Sequence, residues 1–168
     1  MRPLLLALML TGAVQLQLSA MPAAALDGAI PNLPLLVAVS ACLLLGPEQA
    51  AWWALLMGWL LDWRSGSFAA YSLPLLSVVL LAGLGRRRVF TGGLALTAAL
   101  TALGSLLHLG VQLLLAGRWA ESGLWTPQLL AGIALRATLV NLLWLPVVFA
   151  PLRMLVRWLA PPSMGWER

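Results

Sequence analysis

Six apolar runs, divided by short stretches rich in Gly, Pro and charge, set the limits on how this chain can fold. They run roughly from Leu4 to Met21, Leu33 to Leu45, Ala50 to Leu61, Leu73 to Leu84, Phe90 to Ala116 and Leu129 to Phe149. In water such runs need a polar coat, yet 62% of the residues are hydrophobic and 9% charged, with a mean hydropathy of +0.96. The pattern implies an all-α integral membrane protein, one transmembrane domain of six helices over residues 1–168 with no room for a soluble domain. The second, third and fourth runs are short, so they must borrow flanking residues or sit tilted, and the fifth is long enough to lean. Pro31, Pro34, Pro47, Pro74, Pro127, Pro146 and Pro151 fall mostly near run ends, where a missing N–H does least harm.

The charges orient the bundle. All ten basic residues are Arg. With the first run starting in the cytoplasm, Arg2, Arg86, Arg87, Arg88, Arg153, Arg157 and Arg168 lie inside and Arg64 and Arg118 outside, a positive-inside bias. Both termini are then cytoplasmic, and Arg86 to Arg88, Arg153 and Arg157 set topology and touch anionic headgroups. Trp52, Trp53, Trp63, Trp119, Trp125 and Trp158 sit near run ends, as interfacial anchors do. Arg2, the first run and Ala23 to Ala25 also fit a cleavable signal peptide. Thr11, Gln15 and Ser19 recur every fourth residue, a stripe that a retained, packed helix uses, and retention is the reading adopted.

Polar groups inside the runs are the candidate functional residues, because an ionised side chain in hydrocarbon costs about 2.5 to 3.5 kcal/mol and calls for a partner or a route to water. Arg136 lies about 10 Å below the outer end of its run, within snorkelling reach, with Asp62 and Glu121 as the partners open to it. The result is either an outward polar site or an ion pair clamping two helices. Thr97, Thr101, Gly104, Ser105, His108 and Gln112 share one helical face, which should meet protein rather than lipid. On that face His108 reads as a hydrogen-bonding residue between helices, and Asn141 in the last run reads the same way. With one Cys, Cys42, and one His, no Cys/His metal site or internal disulfide is available. No catalytic constellation or cofactor motif is visible, and three adjacent arginines without an aromatic ladder do not make a nucleic-acid surface.

Two stretches carry a family resemblance. GWLLDWRSGSFAAYSLPLL, Gly58 to Leu76, resembles the segment of the rod shape-determining protein MreD family in which a membrane helix ends in Gly-x-x-x-Asp, followed by Ser-Gly and small residues. VNLLWLPVVFAPLRMLVRWL, Val140 to Leu159, is similar to that family's last helix, with Asn, then Trp and Pro, then a basic inner end. The family usually has Gly shortly after its Ser-Gly pair, where this chain has Ala69 and Ala70. The resemblance implies a non-catalytic scaffold subunit of the bacterial cell-elongation complex in the cytoplasmic membrane, required for cell shape. It implies as partners an MreC-like bitopic protein, a RodA-type peptidoglycan polymerase with its class B penicillin-binding transpeptidase, the MreB filament inside, and membrane lipids. Carried over residue by residue, Asp62, Ser65 and Gly66, with Arg64 between them, shape the outer mouth, and Asn141, Trp144 and Pro146 the last helix. The family's fold is also similar to the S component of energy-coupling-factor transporters, which makes a vitamin-binding subunit the alternative function.

Overall fold

The computed structural model describes residues 2–26, 28–88, 94–115 and 127–159. Among them are six α-helices and no strand: α1 Arg2–Ser19, α2 Leu33–Leu44, α3 Pro47–Ser65, α4 Ser72–Arg88, α5 Leu94–Leu115 and α6 Pro127–Leu159. A 3-10 turn, Met21–Ala24, follows α1, and Leu26 and Ala29 then exchange backbone hydrogen bonds of 2.9 Å, so the first connection is a built turn.

The shortest helix is the axis of the molecule. α2 touches each of the other five, which pack around it in the order α1, α3, α4, α5, α6. Its Leu35, Leu36, Ala38, Val39, Ser40, Ala41 and Cys42 have no exposed surface. A helix apolar on every side is stable only when surrounded, and LPLLVAVSACLL is such a sequence. Asn32 caps its start, its side chain accepting from the Leu35 N–H at 3.1 Å, and Pro34 in the first turn needs no partner for the N–H it lacks.

Gly46 and Pro47 then reverse the chain into α3. Glu48 in the first turn of α3 and Arg64 in the last both complement the helix dipole. Gly66, at φ 65°, closes α3 in the left-handed conformation, with Ser67 N–H on the Asp62 carbonyl at 3.0 Å and Gly66 N–H on the Trp63 carbonyl at 3.3 Å. This is a Schellman stop, which glycine adopts without steric penalty.

Several boundaries differ from those the apolar runs suggest. α3 spans Pro47–Ser65 rather than Ala50 to Leu61, because its charged ends stay helical and serve as dipole partners and caps. α6 passes through Pro146 and Pro151 to Leu159 instead of stopping at Phe149. Leu152, almost fully buried in the core, holds the continuation by packing, which offsets the N–H lost at each proline. Trp53 is buried with Ala50, Ala54 and Met57 and is no interfacial anchor, whereas Trp52, Trp63 and Trp158 are exposed. Trp119, Trp125, Arg118 and Arg168 lie outside the described residues.

Two helices, Ala95–Leu115 and Gln128–Trp158, are long and apolar enough to cross a membrane, and most of each lies unburied at the outside of the bundle. The core helix of a soluble protein would show the reverse.

Candidate functional site

Polar side chains gather in two places, one at the α3–α4 hairpin and one at the start of α2. At the hairpin, Asp62 is 5% exposed, although it ends the third apolar run. Its Oδ1 accepts the Tyr71 N–H at 2.8 Å and the Ser67 hydroxyl at 3.4 Å. Its Oδ2 accepts the Ser72 hydroxyl at 2.7 Å and the Ser72 N–H at 3.2 Å. The Tyr71 and Ser72 donors sit at the N-terminus of α4, so a carboxylate on one helix caps the next, where the helix dipole favours negative charge.

Gly58, one turn before Asp62, lets that happen. A Cβ at position 58 would press on the Ser72 Cα and stand 2.8 Å from the Ser72 N, so only glycine admits the start of α4 this close. The Gly-x-x-x-Asp spacing thus has one physical meaning: both residues act on Ser72, the first by leaving room and the second by bonding. Ser65 donates to the Leu61 carbonyl at 2.9 Å and lies 2.6 Å from the Ser67 hydroxyl, which completes the turn.

At the start of α2, four helices meet through side chains. Asn141 of α6 accepts the Asn32 N–H on Oδ1 at 2.8 Å and donates from Nδ2 to the Ser105 hydroxyl of α5 at 2.9 Å. Asn32 Nδ2 lies 3.0 Å from His108 Nε2, and the Leu33 N–H reaches Gln17 Oε1 of α1 at 2.7 Å. Because Asn32 Oδ1 already accepts from Leu35, its amide nitrogen faces the imidazole. That orientation makes Nε2 the acceptor and places the ring proton on Nδ1, which is buried and without a partner. Thr101 Oγ1 and Thr138 Oγ1 are likewise buried and unpaired. The N–H groups that begin α2 are satisfied by Gln17 of α1, by Asn141 of α6 and by the side chain of Asn32 itself.

The sequence-predicted residues divide between these clusters and the outside. Asp62, Ser65 and Gly66 come together at the hairpin, and His108 and Asn141 meet through Asn32. Thr97, Thr101, Ser105 and His108 of α5 are all buried, so that face points inward, with Gln112 half-buried at its end. Arg64 is exposed beside the hairpin, and Arg136 is exposed on α6. The four hydrogen bonds of the Asp62 carboxylate all come from the hairpin itself. Glu121, the other partner open to Arg136, lies outside the described residues. Trp144 packs half-buried against the core and Pro146 is exposed. Arg153 and Arg157 are exposed along the last turns of α6, and Arg86 to Arg88 end α4.

Sequence reasoning passed over Asn32 and Gln17. Asn32 had a signal, since Asn-x-Pro ahead of an apolar run is a helix start. Gln17 had none: the every-fourth stripe of Thr11, Gln15 and Ser19 lies beside it on α1, and only packing selects position 17. Among the described residues no three His, Cys, Asp or Glu side chains are grouped to hold a metal ion. No family model, curated protein or solved structure matches the chain.

Proposed function

We propose that this chain is a membrane scaffold subunit resembling MreD, which docks partner helices of the bacterial cell-elongation complex and performs no chemistry of its own. The observation that carries the proposal is the joint action of Gly58 and Asp62 on Ser72, because it lies in the stretch that resembles the family and gives its spacing a structural purpose.

In this reading all six helices lie in the bilayer with both termini cytoplasmic. α2, with about 18 Å of rise against about 30 Å of hydrocarbon, is enclosed by the other five over most of its surface. The apolar exterior supports docking as the activity: Leu80 and Leu84 on α4, and Leu135, Leu139, Leu143 and Val147 on α6, are all exposed. Both polar clusters are turned inward and consumed in holding helices together, the arrangement a platform needs. The partners are an MreC-like bitopic protein, a RodA-type polymerase with its transpeptidase, and the MreB filament reached from the arginine-rich cytoplasmic side.

The test is purification of the tagged chain from membranes of its own host in mild detergent. The proposal expects an MreC-like protein or a polymerase partner to be recovered with it; recovery of the chain without either would sink it. Bound vitamin retained through extraction would instead favour the energy-coupling-factor reading, which requires an enclosed cavity between α3, α5 and α6.

A further inference from the structure

α1 and α3 enclose between them a groove of about 330 Å³ that neither polar cluster uses. Val14 and Leu18 line it from α1, and Trp59, Leu60 and Trp63 from α3, with Arg64 beside them. Trp59 and Trp63, one turn apart, meet edge to face with ring centroids 5.3 Å apart, so the aromatic wall holds a defined shape. Arg64 is exposed and, among the described residues, makes no hydrogen bond or ion pair. A guanidinium next to an apolar slot at a helix end is an unanswered charge at the depth where lipid headgroups lie.

We infer that this groove holds an acyl chain of an anionic phospholipid whose phosphate sits on Arg64. From Thr11 to Leu18 the groove follows α1 for about 10 Å, a length that suits part of one acyl chain. A methylene is close in size to a water, whose share of liquid volume is about 30 Å³, so the groove takes about ten methylenes, part of one acyl chain. Its volume also falls at the lower end of the range for small-molecule sites, about 300 to 1,000 Å³. The lining offers a counterpart to each part of a lipid: Val14, Leu18, Leu60 and the indoles for hydrocarbon, the Thr11 hydroxyl and Gln15 amide for ester oxygens, and the planar guanidinium for phosphate. The inference needs only that the bundle lie in a bilayer, and it stands or falls independently of the elongation partners proposed above.

The experiment is native mass spectrometry of the full chain in mild detergent with equal amounts of phosphatidylglycerol and phosphatidylcholine of matched acyl chains. The chain should retain phosphatidylglycerol over phosphatidylcholine by about fivefold, the share of one arginine at an anionic surface. R64Q should remove that preference, while R64K, which keeps a cation beside the slot, should retain most of it. L18W, which places an indole in the slot from an exposed position, should lower retention of both lipids. A benzophenone side chain in place of Leu18 should cross-link to lipid in intact membranes. Equal retention of the two lipids by the unaltered chain, a preference that survives R64Q, unchanged retention in L18W, or cross-links to protein instead of lipid would each overturn the inference.

Discussion

Asp62 holds both the hydroxyl and the backbone N–H of Ser72, at 2.7 and 3.2 Å, although the two residues belong to different helices. The end of α3 and the start of α4 are therefore one polar unit, half-buried around a buried carboxylate. Such a hairpin is pre-formed: the loop it carries, with Phe68 almost wholly exposed at its tip, is presented from a fixed base.

Asp62→Ala leaves the half-buried Tyr71 and Ser72 N–H groups without their acceptor, and hydrogen bonds to a charged acceptor are worth about 1.5 to 3 kcal/mol each. Unfolding in detergent should show a loss of about 3 kcal/mol, against about 1 kcal/mol for Ser72→Ala, which keeps the backbone bond. Asp62→Asn should fall between them, since one of its two oxygens becomes a donor facing donors. Asp62→Asn combined with Arg136→Gln should be additive, because the carboxylate is taken up by its own hairpin. A coupling beyond about 0.5 kcal/mol would show that the guanidinium reaches it after all.

Gly58→Ala tests the space on the other side of the same unit. The added methyl would press on backbone atoms of Ser72, which cannot rotate away as a side chain can. Overpacking of a rigid site costs about 1 to 3 kcal/mol, and here the displacement also loosens the Asp62 bonds, so the loss should reach the top of that range. Gly12→Ala, inside α1 with nothing within 4 Å of the added atom, is the control and should stabilise by about 0.5 to 1 kcal/mol through helix propensity alone.

These two residues also show what was legible in the sequence. Apolar runs and their punctuation reveal the number of helices, since hydrophobic stretches and Gly/Pro breaks are local signals. The all-helical fold and the inward face of α5 follow from periodicity alone. What periodicity leaves open is which polar group meets which. Asp62 looked like a partner for a distant arginine because charge is visible in a sequence, whereas the backbone N–H groups it actually bonds are present at nearly every residue. The extension of α6 beyond Pro146 and Pro151 was hidden for a related reason: the local rule ends a helix near proline, and the burial of Leu152 against the core overrides it. Asn32 and Gln17 acquire their roles only because α2 is enclosed, a property of the whole assembly.

Ala69 has φ of 59°, the left-handed conformation that non-glycine residues rarely adopt. An alanine there costs about 1 to 2 kcal/mol from the clash of its Cβ with the backbone, partly offset by the greater freedom glycine has when unfolded. Ala69→Gly should therefore stabilise the chain by about 0.5 to 1 kcal/mol, read as a higher melting temperature in detergent. A lower one would mean that the turn is not held in this conformation.

The last prediction concerns the polar junction at the start of α2. Asn141→Leu removes one acceptor and one donor at once, leaving the Asn32 N–H and the Ser105 hydroxyl without their interhelical partners. Single interhelical hydrogen bonds in membrane proteins average only about 0.6 kcal/mol, so a simple sum gives little more than about 1 kcal/mol. The Asn32 N–H, however, belongs to a helix start surrounded by protein, and a buried unsatisfied group adds about 1 to 3 kcal/mol. Asn141→Leu should thus cost about 2 kcal/mol, and a double-mutant cycle with Ser105→Ala should return only about 0.6 kcal/mol of that as pair coupling. Asn32→Ala should be more severe, because it removes the cap of α2 and the amide facing His108 together. If Asn141→Leu proves neutral, water must reach the Asn32 N–H, and the start of α2 is then a solvated cleft and no longer a dry junction.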